Sequence, residues 1–267
     1  MGPEGSLQQI ASILESSIWG DPLVASSVAG AFVALTTSLG AAMIFLFSGR
    51  VRLSLHFSMA FAAGIMLVAS FTSLILPAIE VSSFPTVSLG IILGFGAILT
   101  IERMIPHEHP ILGYEGPESA KRLLRKTWLI AIAILIHNFP EGIAVGVSVA
   151  YSIPLGIATA IAIGIQDIPE GFAVALPVSS AGGKKLGFLI GVLSGVSELL
   201  MVIIGALVFT ELKELLPLGM GFAGGAMLFI TLKEVIPEVY GENYSTLKAT
   251  VGLIIGFMVM LYLDSAL

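Results

Sequence analysis

Two hexapeptides of nearly the same composition, HNFPEG at residues 137–142 and QDIPEG at residues 166–171, carry most of the chemistry this chain can do. On a helix, His137 and Glu141 are four residues apart and Asn138 and Glu141 three apart, so Glu141 shares a face with both. Glu170 stands in the same relation to Gln166 and Asp167. If the two helices face each other, one cation can touch His137, Gln166 and both glutamates. A second can touch Asn138, Asp167, both glutamates and Glu198, so that the glutamates bridge two metal ions. Imidazole, amide and carboxylate donors suit Zn2+, and equally Cd2+, Fe2+, Mn2+ or Co2+. Glu141, Asp167, Glu170 and Glu198 together can balance two divalent cations, and metal arrival is expected to displace protons.

The prolines extend this pattern. Pro140 and Pro169 lack an N–H and release the carbonyls of Ile136 and Ile165, so each helix is expected to kink there. Released carbonyls are tolerated at membrane depth only where protein or a wet cavity receives them. Gly142 and Gly171 are expected to let the two helices approach closely.

The segments that must hold these groups are apolar. Of 267 residues, 56% are hydrophobic and 11% charged, and the mean hydropathy of +1.01 is far above that of a soluble domain. Eight apolar stretches, at residues 24–47, 55–79, 87–105, 127–150, 153–178, 186–209, 215–239 and 246–264, each have about the 20 residues a helix needs to cross a bilayer. The expected fold class is an all-α integral membrane protein of eight transmembrane helices. A single transmembrane domain is expected to span 1–267, with an extracytoplasmic N-terminal segment at 1–23 and a polar cytoplasmic loop at 106–126. His137, Gln166 and Glu198 lie ten, thirteen and twelve residues into their spans, roughly 15–20 Å deep at about 1.5 Å per residue. Ionisable groups at that depth are functional candidates by default.

Charge placement predicts orientation. Arg50, Arg52, Arg103, Lys121, Arg122, Arg125, Lys126, Lys184, Lys185 and Lys248 fall on one side of the spans, against Lys213 on the other. The positive-inside rule then puts both termini outside the cytoplasm, in a multi-pass protein of the cell (inner) membrane. The net charge of −6 sums two unlike faces, and nothing in it points to nucleic acid. Cysteine is absent, which excludes thiolate ligands and disulfides. Residues 1–23 lack the basic start and cleavage pattern of a signal peptide.

The chain also repeats itself. Residues 131–145, AIAILIHNFPEGIAV, match residues 160–174, AIAIGIQDIPEGFAV, at ten of fifteen positions without a gap. FAAGIMLVASFTSLILPAIE in the second span echoes FAGGAMLFITLKEVIPE in the seventh once one residue is inserted. Duplicated halves are common in transporters, with a site at their interface.

With HNFPEG, QDIPEG, the glutamate of GVSELL and AAGIMLVAS in the second span, the sequence resembles the ZIP family of divalent-metal transporters, in particular its bacterial GufA-like branch. The resemblance implies that His137, Glu141, Gln166 and Glu170 bind one metal, and that Asn138, Asp167 and Glu198 complete the second. Met66 matches a methionine that can join the first. It also implies a homodimer, a 3+2+3 bundle of pseudo-symmetric repeats, and an elevator-like movement of the site-bearing helices that imports Zn2+ and related ions such as Cd2+. The seventh span departs from the family pattern: Lys233 stands before Glu234 where many relatives have histidine, and a protonated lysine is a poor ligand.

Plainer roles compete at several positions. Met66 can simply fill a gap in the core, and Ser73 can serve helix packing or line a pathway. His107, Glu108 and His109 suit either a solvated loop or a metal-gathering mouth, and Glu80, Glu211, Glu214 and Asp264 either ordinary surface charge or a cation-concentrating rim. Carboxylate-bridged metals also occur in two-metal hydrolases. No H-E-x-x-H pattern or separate general base accompanies them here, which favours transport; a metal exporter or a sensor are the remaining alternatives.

Overall fold

A computed structural model describes residues 20–46, 52–109, 113–116, 126–241 and 246–266. Nearly all of the expected N-terminal segment 1–23, and Lys121, Arg122 and Arg125, lie outside the described residues. The described residues are almost entirely helical. Helix α1 covers Pro22–Leu46. Helix α2 runs through Arg52–Ala69, Ser70–Ile75 and Leu76–Glu80, and α3 covers Phe84–Met104. The hexapeptide helices are α4, Lys126–Tyr151, and α5, Ile153–Gly182. Helix α6 covers Lys184–Glu211, α7 runs through Leu216–Ile230, Thr231–Val235 and Ile236–Val239, and α8 covers Thr246–Ala266. Helices thus occupy all eight apolar stretches, and seven helices among the described residues are long and apolar enough to cross a membrane.

Local sequence explains where the helices start and stop. Pro85, Pro154 and Pro217 sit in the first turns of α3, α5 and α7, where a missing N–H costs nothing. Gly183, at φ +90, turns the chain sharply between α5 and α6. Both α4 and α5 continue through Pro140 and Pro169 as helices. The polar segment after α3 contains a small hairpin instead of only a loop: β1, His107–His109, pairs antiparallel with β2, Gly113–Glu115, in the register His107 to Glu115.

The weaker sequence echo has a structural cause. In α2 and α7 the segment before Pro77 and Pro237 is π-helical, with the Leu76 N–H bonded to the Phe71 carbonyl and the Ile236 N–H to the Thr231 carbonyl. The π segment has six residues in α2 and five in α7. A π turn is how a helix absorbs an inserted residue without losing register, so the gap in the alignment falls where the geometry can take it.

Helix neighbours come in matched pairs. Helix α4 packs on α6 as α5 packs on α1, α3 on α7 as α8 on α2, and α2 touches α5 as α7 touches α4. Exchanging α1, α2, α3 and α4 for α6, α7, α8 and α5 leaves this pattern unchanged. Polarity is inverted relative to a soluble protein: Leu35, Leu39, Ile92, Leu200, Ile254 and Met258 face outward, while Ser26, Thr36, Thr37, Ser70, Gln166 and Glu198 are buried. That inversion suits a hydrocarbon surround.

Candidate metal centre

Glycines set the spacing of the helices that carry the polar groups. A Cβ added to Gly142 would lie 2.6 Å from the Glu198 carbonyl oxygen on α6, and one added to Gly171 would lie 2.1 Å from the Thr37 carbonyl oxygen on α1. The hexapeptide glycines therefore bring α4 against α6 and α5 against α1, whereas the sequence suggested that they bring α4 against α5. Direct contact between α4 and α5 also exists, beside these closer approaches.

Inside this frame Glu141, Asp167 and Glu198, all fully buried, offer carboxylate oxygens within 4.8 Å of one another. The Gln166 amide donates to Glu141 Oε1. Asn138 Nδ2 donates to Glu198 Oε2 at 3.3 Å. Glu170, half-buried, lies within electrostatic range of Glu141, Asp167, Glu198 and His137. Three helices thus contribute acids to one point, and a fourth supplies hydroxyls: Thr36 Oγ1 is 3.4 Å from Asp167 Oδ2 and Thr37 Oγ1 is 3.2 Å from Glu198 Oε2.

Four oxygens here are buried and have no hydrogen-bond partner among the described residues: Asn138 Oδ1, Glu141 Oε2, Gln166 Oε1 and Glu198 Oε1. Buried acceptors are normally satisfied, and leaving one bare costs about 1–3 kcal/mol. All four are good ligands for a divalent ion, and their number and chemistry fit such an ion better than they fit a structural hydrogen-bond network.

Two of the expected residues have contacts of another kind. His137 Nε2 is bonded to Glu234 on α7, with Glu170 and Glu238 also in electrostatic range. Met66 is buried in the apolar cluster that also holds Ile65, Ala69 and Met227. Sequence spacing grouped His137 with Glu141 because it considers one helix at a time; Glu234 comes from a helix nearly a hundred residues away. The marker for Glu234 was its charge inside an apolar span, and for Thr36 and Thr37 only their adjacency in mid-helix.

From His137 a line of polar groups runs toward the hairpin. Glu234 is in side-chain contact with Glu102 at the end of α3, and Lys233 Nζ donates to Glu102 Oε2 at 2.5 Å and to Glu115 Oε2 on β2 at 2.7 Å. The lysine that departs from the family pattern thus ties α7, α3 and the hairpin together, with its ammonium 5.6 Å from the Phe229 ring centre. Replacing it leaves the buried Glu102 without its cation, so Lys233→Met should lower the thermal midpoint of the purified protein. Adding Glu102→Gln should recover much of the loss; a midpoint unmoved by Lys233→Met would show that the tie is not structural.

The remaining candidates are placed as follows. His107 is buried and its Nδ1 is 2.8 Å from the Ile105 carbonyl; the side chains of Glu108 and His109 lie outside the described set. Ser73 donates to Asp264 at 3.1 Å, and Thr72 also bonds to Asp264, joining the π turn of α2 to α8. Glu80, Glu211 and Glu214 are exposed.

Comparison with known proteins bears on the same residues. A family model described as ZIP Zinc transporter matches residues 114–264. The chain is 38% identical over 225 residues to a zinc transporter ZIPB of Bordetella bronchiseptica, covering 78% of this chain and 70% of that one. It is 36% identical over 260 residues to a zinc transporter GufA of Myxococcus xanthus, covering 93% and 99%. To a zinc transporter ZupT of Escherichia fergusonii it is 32% identical over 249 residues, covering 90% and 94%.

Proposed function

Because the chain belongs to the ZIP family of zinc transporters, we propose that it imports Zn2+ into the cytoplasm through a carboxylate-bridged binuclear site near the bilayer midplane. The observation that carries this reading is the convergence of Glu141, Asp167 and Glu198 from α4, α5 and α6 within 4.8 Å, deep in an apolar bundle. In this reading His137, Glu141, Gln166 and Glu170 hold one ion, with Met66 able to join them, and Asn138, Asp167 and Glu198 complete a second site that shares both glutamates. Cd2+, Fe2+ and Mn2+ are further substrates on the chemistry of the ligands. The family is one of transporters and not of enzymes, which leaves the hydrolase reading without support.

The domain is proposed to be a single unit of eight spans in a 3+2+3 arrangement, and the matched pairing of helix neighbours supports it. Movement is proposed to be elevator-like. Helices α1, α4, α5 and α6 pack chiefly on one another, as do α2, α3, α7 and α8, and fewer residues join the two groups. The line from His137 through Glu234 and Glu102 to the hairpin supports release on the basic, cytoplasmic side, with both termini outside. Assembly as a homodimer in the inner membrane completes the reading by the family resemblance.

Uptake of radioactive zinc into proteoliposomes holding the full chain tests this, with Cd2+, Fe2+ and Mn2+ as competitors and with or without a pH gradient. Zinc accumulation above that of empty vesicles is expected. Accumulation no greater than in empty vesicles, under either condition, would overturn the proposal.

A further inference from the structure

Helix α1 brings no titratable group to the centre, yet it touches two of its acids. Thr36 and Thr37 are buried. Each also lies near a backbone carbonyl, Thr36 Oγ1 2.8 Å and Thr37 Oγ1 2.9 Å from that of Val33, so its single proton goes either there or to the acid. A threonine inside an apolar helix satisfies its hydroxyl this way and needs nothing more. These two nevertheless reach Asp167 and Glu198, one on each neighbouring helix.

Symmetry makes the contact specific. The internal repeat relates Phe61 to Phe222 by an offset of 161 residues, and the same offset relates Thr37 to Glu198. The glycine contacts support this equivalence: Gly142 meets the Glu198 carbonyl on α6, and its repeat partner Gly171 meets the Thr37 carbonyl on α1. Where one half of the molecule presents a carboxylate, the other presents a hydroxyl, and the two are bonded to each other. A second acid at Thr37 would add another negative charge to the cluster; a hydroxyl instead can turn its proton from the Val33 carbonyl to the charge already present.

The consequence falls on the free oxygen of Glu198. Its Oε2 accepts from Thr37 and Asn138, while Oε1 is buried without a hydrogen-bond partner among the described residues. With one oxygen held from two sides the carboxylate plane is fixed, and Oε1 is the atom left for a cation. We propose that Thr36 and Thr37 are positioning residues, which orient Asp167 and Glu198 for the second divalent cation. This rests on the metal-centre reading above and deepens it. Hydrogen-bonding partners of metal ligands typically set affinity by about 10- to 100-fold.

Cobalt serves as the probe, because both its binding heat and its visible absorption can be followed on the full chain in detergent. Wild type should bind two Co2+ per chain. Thr36→Val with Thr37→Val, which removes the hydroxyls and keeps the shape, should weaken the second ion about 10- to 100-fold and alter its absorption band. Affinity for the first ion should be unchanged, which also reports that the variant is folded. Thr36→Ser with Thr37→Ser should restore wild-type binding. Two ions bound by the valine variant with wild-type affinities and spectrum, or serine failing to restore them, overturns the proposal alone. A wild-type chain that takes up no Co2+ overturns it together with the metal-centre reading.

Discussion

Zinc uptake into proteoliposomes is expected to fall to background when Glu141 or Glu170 is replaced by alanine, and to stay at the wild-type rate when Glu211 is. Glu141 is fully buried, accepts from Gln166, and shares a 4.8 Å cluster with Asp167 and Glu198. In the proposed arrangement it is a ligand to both ions, so its removal damages both sites at once. Glu170 is its repeat counterpart and lies within electrostatic range of the same acids. Loss of a bridging ligand should exceed the roughly 10- to 100-fold penalty of losing a mere partner of a ligand. Glu211 is an exposed acid at the end of α6, with the same charge and none of the geometry. Substantial uptake by either alanine variant would remove the bridging role from that residue.

The second large effect is expected from one added methyl group. Gly171→Ala places a Cβ 2.1 Å from the Thr37 carbonyl oxygen, a backbone atom that cannot swing aside. Helix α1 must then move off α5, and the Thr36 contact to Asp167, already 3.4 Å, is lost. Overpacking of this kind commonly costs about 1–3 kcal/mol. Gly171→Ala should therefore lower the thermal midpoint by several degrees and strongly reduce uptake. Gly96→Ala, where nothing lies within 4 Å of the new carbon, should change neither. Equal behaviour of the two variants would mean that the close approach of α1 to α5 does not matter.

The helices and the acids were legible in the sequence because each is written within one segment. Apolar length marks a span, and spacing of three and four marks a face, so Glu141 beside Asn138 and Glu170 beside Gln166 could be read directly. Which helix that face meets was not legible. Gly142 and Gly171 looked like the seam between α4 and α5 but meet α6 and α1, since a small residue announces close approach without naming the neighbour. Thr36 and Thr37 were overlooked for a related reason: a hydroxyl in an apolar helix can satisfy itself on its own backbone, so its presence alone signals nothing. Lys233 was visible as a departure, but its partners Glu102 and Glu115 lie more than a hundred residues earlier. The hairpin at His107–His109 escaped because three-residue strands leave no periodic trace.

The central claim is that cations, and not a hydrogen-bond network, satisfy the buried acids of α4, α5 and α6. Anomalous diffraction from crystals of the full chain grown with Cd2+ tests it most directly. The account predicts two anomalous peaks about 3.5–4 Å apart, the separation usual for bridged metal pairs, with Glu141 and Glu170 touching both and Asp167 and Glu198 touching one. At saturating Cd2+, peaks confined to surface acids such as Glu80 or Glu214, with no density among Glu141, Asp167 and Glu198, would contradict it.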